Sequence, residues 1–153
     1  MIKTYEILNK MFLGIDKKHP NEALRYILVE DSRKFTAIDG HIMLQWEEKE
    51  EDITFKFPEP RAYVKMTHKL DDDREIIYET NINYPNYKCF LNEIPETDAK
   101  EYTMFAPKYI DILNKFMDDK WAYLQKPKMR DSQSAAKWEI GNKICVIMPV
   151  RVK

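Results

Sequence analysis

The sequence predicts an α+β fold built as a single domain of 153 residues. Short runs of strand-forming residues are separated by two-residue turn signals, Asp39-Gly40 and Gly141-Asn142, which predict antiparallel hairpins. Two other stretches carry apolar residues at helical spacing. Because parallel strands need a long connection between each pair, these tight hairpins exclude a purely parallel α/β fold.

Two helices are predicted from this apolar spacing. The first covers residues 4–13 and is expected to end at Gly14, and the second begins at Pro107, which fits the first helical turn. The first apolar stripe consists of Tyr5, Leu8, Met11 and Phe12. The second consists of Tyr109, Ile112, Leu113, Phe116 and Met117.

The predicted strands occupy residues 25–30, 34–38, 42–46, 53–57, 62–67, 75–81, 101–105, 121–124, 137–140 and 144–152. A helix, two strands and a tight turn thus follow one another from Thr4 to Asp39, and again from Pro107 to Gly141. This succession predicts two similar halves, about residues 1–82 and 100–153, each with one helix packed on antiparallel strands.

The composition excludes several classes of protein. With 25 basic and 26 acidic residues the net charge is −1, which argues against a protein that coats nucleic acid through a generally basic surface. Only 3 glycines occur and no phosphate-binding loop is present, so nucleotide chemistry is not expected. No apolar run approaches the roughly 20 residues that a membrane span needs. Cys89 and Cys145 lie far apart and no secretory signal precedes them, which predicts a reduced, cytoplasmic protein.

Four short segments resemble segments of the bacterial DNA polymerase III beta subunit, the sliding clamp. Residues 38–43 read Ile-Asp-Gly-His-Ile-Met and resemble the family's Thr-Asp-Gly-His-Arg-Leu. Residues 84–87 read Tyr-Pro-Asn-Tyr and, with Ile94-Pro95, are similar to its Phe-Pro-Asp-Tyr and downstream Ile-Pro. Residues 105–113 are similar to the opening of the clamp's last helix, Phe-Asn-x-x-Tyr-Leu-x-x-Leu. Residues 146–152 resemble its terminal Val-Val-Met-Pro-Met-Arg-Leu.

This resemblance implies a DNA-clamp-like domain and a DNA polymerase processivity factor that is not an enzyme and needs no cofactor. In the family, several such domains join head to tail into a ring around duplex DNA. One domain of this size closes a ring only as a homo-oligomer with head-to-tail contacts, of about six copies if the ring keeps the family's size. The small size suggests that a phage or another mobile element encodes it. The alternative is a clamp-like interaction protein that never encloses DNA, such as a transcription coactivator, a clamp modulator or a decoy.

The resemblance also implies an apolar groove that captures short peptide motifs of polymerases and other partners. Its implied residues are Gly40, His41, Ile42, Met43, Tyr109, Val146, Ile147, Met148, Pro149, Val150, Arg151 and Val152. Where the family has an asparagine and an arginine, this chain has Ala106 and Ile42, so we expect a more apolar groove. In the family the two walls come from adjacent domains, and we therefore expect two protomers to complete the groove here. Without the resemblance, the hairpin is only a turn and the last strand only a buried strand.

Duplex DNA is expected on the helix faces that point away from the sheet, where lysines neutralise phosphates without reading sequence. The candidate lysines are Lys3, Lys10, Lys17, Lys18, Lys108 and Lys115. Because Glu6, Asp111 and Asp118 share these faces, ordinary solvated helix surfaces are an equally good interpretation. A third hypothesis is a metal-dependent nuclease that uses Asp39 and His41. No spaced set of histidines, cysteines and carboxylates completes such a site, so neither catalysis nor a metal is predicted.

Overall fold

In the computed structural model, residues 1–98, 104–131 and 133–150 are described. Their strands form one antiparallel sheet of 7 strands in the order β5-β4-β1-β2-β3-β7-β6. The strands are β1 (Ile27–Glu30), β2 (Lys34–Ile38), β3 (Ile42–Glu47), β4 (Arg61–Val64), β5 (Tyr78–Glu79), β6 (Ala136–Ile140) and β7 (Lys143–Ile147). The predicted α+β class and both tight hairpins are confirmed.

Two helices, α1 (Thr4–Met11) and α3 (Pro107–Met117), pack on the same face of this sheet. Alternate residues of the central strands point toward them, as the two-residue period of a strand requires. Among the fully buried side chains of this layer are Ile7, Leu8, Met11, Phe35, Leu44, Leu113, Phe116 and Ile147. A short helix, α2 (Tyr87–Asn92), lies with Tyr84 and Ile94 on the opposite face, over Leu28, Met43 and Val146.

The buried face of α1 differs from the predicted apolar stripe. The buried face consists of Thr4, Ile7, Leu8 and Met11. Tyr5 and Phe12 lie at its margin and are only partly buried. The helix itself was therefore predicted correctly. The predicted stripe is rotated by part of a turn from the face that is buried, because it did not include Ile7.

Residues 53–57 were predicted as a strand, and this is wrong. Only Ile53 forms a ladder contact, an isolated parallel bridge to Ile2. The backbone N–H of Phe55 donates to Thr4 Oγ1 (3.0 Å), and that of Phe57 donates to Ser32 Oγ (2.8 Å). Side-chain oxygens thus satisfy backbone groups that would otherwise need a neighbouring strand.

Three further predictions are corrected. Residues 121–124 form a 3₁₀ turn (Ala122–Leu124) instead of a strand, so the second half lacks one strand of the predicted repetition. The strand at 75–81 shrinks to Tyr78–Glu79, because a 3₁₀ turn (Asp73–Glu75) capped by Asp72 precedes it. Residues 101–103 of the predicted strand 101–105 lie outside the described residues, and no strand is present at 104–105.

The C-terminus of α3 is held by lysines from two other elements. Lys10 of α1 donates to the carbonyl of Lys115 (2.8 Å) and to the Asp118 carboxylate, and Lys143 of β7 donates to the carbonyl of Phe116 (3.0 Å). Cations at a helix C-terminus satisfy its last carbonyls and interact favourably with its dipole. The hydrogen bond from Lys10 lowers the pKa of Asp118. The carboxylate therefore stays charged and ties α1, α3 and β7 together.

Gly14 ends the helical segment, as expected, and it also has a packing role. A 3₁₀ turn (Phe12–Gly14) continues α1, and Gly14 is buried against β2 and β3. A Cβ atom at this position would lie 2.9 Å from Leu44 Cδ1 and 3.4 Å from Ala37 Cβ. Leu44 is fully buried in the core.

We expect Gly14→Ala to lower the free energy of unfolding by about 1–3 kcal/mol, because the added methyl group overpacks the core at Leu44. Urea unfolding followed by circular dichroism measures the change. Leu44→Ala alone is expected to cost about 2–5 kcal/mol. The double variant should lose less than the sum, because the smaller side chain makes room for the new methyl group. Strictly additive losses would contradict this packing.

Candidate functional site

The site is built on the hairpin between β2 and β3. The Asp39 N–H donates to the carbonyl of Ile42 (3.1 Å), so this pair closes the turn and Gly40 and His41 occupy its tip. The predicted turn is present but its tip lies one residue later than the Asp39-Gly40 signal suggests. Gly40 has a φ of +93°, which an L side chain rarely adopts, and a glycine is therefore required here.

The Asp39 carboxylate has a structural role. One of its oxygens, Oδ1, accepts hydrogen bonds from the backbone N–H groups of His41 and Ile42, both at 2.8 Å. A side chain that binds its own turn in this way fixes the position of the tip.

Within residues 1–98, 104–131 and 133–150, no group of three histidines, cysteines or carboxylates is arranged to hold a metal ion. The hypothesis of a metal enzyme on Asp39 and His41 gains no support from this geometry.

Pairing of β3 with β7 brings the last strand to the hairpin. Ile42 lies opposite Ile147, and Met43 opposite Val146. Beyond the end of β7, the Met148 N–H donates to the carbonyl of His41 (2.9 Å). Both walls of the site therefore belong to one chain. The expectation that two protomers complete the groove is wrong, because β3 and β7 of the same chain pair directly.

The N-terminal turn of α3 supplies the third side of the site. Pro107 is its first residue, and Tyr109 stacks on the His41 ring with 6.0 Å between ring centroids and 29° between planes. Burial, followed by the charge of Asp39, raises the pKa of the Tyr109 hydroxyl. Lys108 Nζ lies 4.8 Å from the centroid of the Tyr109 ring, at the edge of the site.

Together these elements enclose an open groove of about 490 Å³. It is lined by Gly40, His41, Ala106, Tyr109, Met148, Pro149 and Val150. The volume lies in the range of small-ligand sites, and the lining is mostly apolar with few polar groups. Val150 is 45% exposed at its rim, and its N–H donates to the carbonyl of Met104 (2.8 Å), itself 64% exposed. The groove thus presents accessible apolar surface beside a histidine and a tyrosine.

Not every residue of the predicted groove lines it. Ile42, Met43, Val146 and Ile147 are at most 2% exposed and form the sheet beneath the walls. Arg151 and Val152 lie outside the described residues. Ala106 lines the groove but was identified from the sequence only as a departure from the family's asparagine. The sequence feature that could have identified it is its position immediately before Pro107, where α3 begins.

The candidate DNA-binding lysines are distributed over α1, α3 and the loop after α1. Lys10 pairs with Asp118, and Lys115 Nζ pairs with Asp111 Oδ2 at 2.9 Å. Lys17 Nζ lies 5.6 Å from the Phe12 ring centroid and donates to the Thr67 carbonyl (3.4 Å). Lys3 and Lys18 are exposed, whereas Lys108 belongs to the edge of the groove. The helices share one face of the sheet, but acidic partners reduce their positive charge.

The helices in the described part of the chain include none that is long and apolar enough to cross a membrane. Cys145 is a free, buried thiol in β7, and burial raises its pKa. A raised pKa disfavours the reactive thiolate. This cysteine therefore has a packing role.

No protein-family model matches the sequence, and no curated protein is significantly similar to it. Several solved structures, however, share its fold. A protein described as a DNA polymerase III beta subunit from Eubacterium rectale matches with a TM-score of 0.66 and 10% identity, over 97% of this chain and 63% of that one. The sliding clamp of Bacillus subtilis matches with a TM-score of 0.53 and 12% identity, over 97% of this chain and 62% of that one.

A third match is the DNA polymerase III beta subunit of Borrelia burgdorferi, with a TM-score of 0.52 and 13% identity over 98% of this chain and 62% of that one. The chain therefore has a DNA-clamp fold, and the resemblance seen in its sequence is confirmed at the level of the fold. The matches extend over less than two thirds of each of these proteins.

We expect Asp39→Ala to lower the free energy of unfolding by about 1–3 kcal/mol, because the two N–H groups of the turn lose a charged acceptor. Asp39→Asn keeps a side-chain oxygen at the same place and should lose less. Thermal unfolding compares the two variants, and amide hydrogen exchange at residues 41 and 42 reports the turn itself. Equal losses in both variants, or unchanged exchange in Asp39→Ala, would contradict the role assigned to this carboxylate.

Proposed function

We propose that this chain is a sliding-clamp-like DNA polymerase processivity factor that docks replication partners through the groove at His41 and Tyr109. The observation that carries the proposal is that the hairpin tip, the end of β7 and the start of α3 meet in a single chain of clamp fold. The chain contributes no chemistry of its own. It holds a partner protein close to duplex DNA.

The groove suits an extended peptide with a leucine or phenylalanine anchor. Its volume accommodates one or two such side chains, and Met148 is a flexible, polarizable side chain that adapts to different apolar groups. His41 and Lys108 are the polar groups at its edge, and they can bind the peptide's backbone or an acidic neighbour of the anchor. The side chain of Ala106 has no polar atom, and its carbonyl already accepts the N–H groups of Tyr109 and Ile110, so apolar contacts dominate the affinity.

Duplex DNA is proposed to lie against the outer faces of α1 and α3. These helices are neighbours on one face of the sheet, so their exposed lysines form a common surface. Lysine contacts with phosphates are independent of sequence and sensitive to salt, as a sliding protein requires. Because Lys10 and Lys115 are already paired with carboxylates, we propose weak binding that depends on Lys3 and Lys18.

A closed ring requires several copies of this chain. The proposed contact is head to tail, between the β5 end and the β6 end of the sheet, which are its two edges. At the β6 edge, Lys137 exchanges backbone hydrogen bonds with Lys128 (2.8 and 3.0 Å), so part of this edge is already occupied. The contact therefore relies on side chains more than on added strand pairing.

The second candidate is a clamp-like interaction protein that does not encircle DNA. It is favoured by the acidic partners of the helix lysines and by a groove that is complete in one chain. Such a protein binds clamp-binding peptides as a coactivator, a modulator or a decoy. Retention on circular DNA distinguishes the two candidates, because only a protein that encircles DNA is trapped there.

We expect Tyr109→Ala to weaken binding of a leucine- and phenylalanine-containing peptide by tenfold or more, because one wall of the groove is removed. A fluorescently labelled peptide and anisotropy titration measure the affinity. Ile77→Ala is the matched control, because Ile77 is an apolar residue, 77% exposed, that does not line the groove. A peptide that binds both variants and the unaltered chain equally well would exclude the groove as its site.

We expect the protein to be retained on a nicked DNA circle and released when the circle is linearised, with a mass of several chains per DNA by light scattering. Lys3→Gln with Lys18→Gln should reduce the slope of log K against log salt by about 0.9 for each phosphate that is no longer neutralised. Lys65→Gln is the control, since Lys65 stacks on Tyr26 of the opposite sheet face. Equal binding to circular and linear DNA by a monomer would exclude encirclement and leave the second candidate.

A further inference from the structure

A compact exposed aromatic surface lies just after α3, and we refer to residues 120–126 as the aromatic platform. In it, Trp121 is 54% exposed, Tyr123 is 39% exposed and Leu124 is 65% exposed. Ala122, between them, is fully buried. Large apolar side chains that are exposed together, instead of singly, mark interaction sites.

The platform is held in place by hydrogen bonds to its backbone. The Trp121 N–H donates to Asp119 Oδ1 (2.9 Å), and the Tyr123 N–H donates to Asn114 Oδ1 of α3 (3.2 Å). At the other end, Trp138 Nε1 donates to the carbonyl of Gln125 (3.0 Å). These bonds connect the platform to α3 and β6. The rings are therefore displayed by a fixed backbone turn and not by a free loop.

The two rings lie side by side with cations around them. Their centroids are 6.4 Å apart and their planes are tilted by 39°. Lys120 Nζ lies 5.4 Å from the Trp121 centroid, and Lys126 is exposed at the end of the platform. Among the ion pairs of the described residues, none involves these two lysines. The nearby carboxylates already have partners. Asp118 pairs with Lys10 and Lys143, Asp119 caps Trp121, and Asp98, which feels the charge of Lys126, pairs with Lys128.

We propose that the aromatic platform binds single-stranded DNA. Bases stack on exposed aromatic rings irrespective of sequence, while neighbouring lysines contact the phosphates. The rings of Trp121 and Tyr123 offer the stacking surface, and Lys120 and Lys126 offer the phosphate contacts. Positive charge beside exposed ring faces favours nucleic acid, which carries phosphates and bases along its whole length. A protein partner would need a surface that is both acidic and apolar to match the platform.

The platform is separate from the groove. Tyr109 lies at the start of α3 and the platform follows its end, and a helix of 11 residues spans about 16 Å. Lys115 is in the last turn of α3, at the end of the helix that leads to the platform. A strand that leaves a duplex bound along α1 and α3 would reach the platform without crossing the groove. Single-strand binding at the platform requires neither the groove nor a ring.

The test uses a fluorescein-labelled oligo-dT and the full chain at low salt. We expect saturable binding accompanied by quenching of tryptophan fluorescence, since Trp121 is 54% exposed, whereas Trp138 is 2% exposed and Trp46 is partly buried against Phe116 and Lys143. Trp121→Ala with Tyr123→Ala should weaken binding about tenfold or more, and Trp121→Phe should retain most of it. Leu124→Ala is the matched control, because it removes exposed apolar surface from the same turn without removing a ring. Circular dichroism verifies that each variant is folded.

Four results would overturn the proposal: no oligo-dT binding at low salt, unchanged binding in the double alanine variant, an equal loss in Leu124→Ala, or equal competition by polyglutamate. The last two would indicate an acidic protein partner. Duplex binding measured on the same variants separates this proposal from the clamp function. The double alanine variant should keep its salt-sensitive duplex binding, whereas Lys3→Gln with Lys18→Gln should lose it and keep the quenching by oligo-dT.

Discussion

The pairing of β3 with β7 is the constraint on which the rest of the structure depends. It joins strands from distant parts of the chain, and among the described strands it is the one link between β1–β5 and the β6–β7 hairpin. Through it, α1 and α3 share a face of the sheet and the hairpin tip meets the end of β7. Contacts of such long sequence separation cost chain entropy before they stabilise anything. The groove is therefore expected to form late in folding, after both hairpins.

At the end of α3, charged side chains are committed to the fold. Lys10 and Lys143 reach from α1 and β7 to the end of α3, where they satisfy its carbonyls and pair with Asp118. A lysine held in this way has less freedom to neutralise a phosphate. The proposed affinity for DNA would then come from a few exposed lysines, from several copies acting together, or from topology.

Short sequence signals correctly predicted those turns and helix starts whose conformation is set by neighbouring residues. The Gly141-Asn142 turn, the hairpin at Gly40 and the start of α3 at Pro107 were identified from residue types alone. Residues 53–57 alternate like a strand, but side-chain oxygens from distant segments satisfy their backbone, which no local pattern reveals. Helix α2 was missed, although Asn86 before it is a favourable N-cap and its side chain accepts the Lys88 N–H (3.2 Å). The residues of the groove came from family resemblance, but its closure within one chain depends on a pairing register that the sequence does not show.

The bond from the Met148 N–H to the His41 carbonyl has a consequence for how this protein can evolve. The two walls are held together by main-chain atoms, which every amino acid except proline provides in the same form. Under the proposed function, substitutions at the groove-lining side chains would therefore alter which peptides fit, while the walls stay in place. Partner preference would drift by single mutations without loss of the scaffold. A clamp-like protein with this proposed role would gain an adaptable surface at little cost in stability.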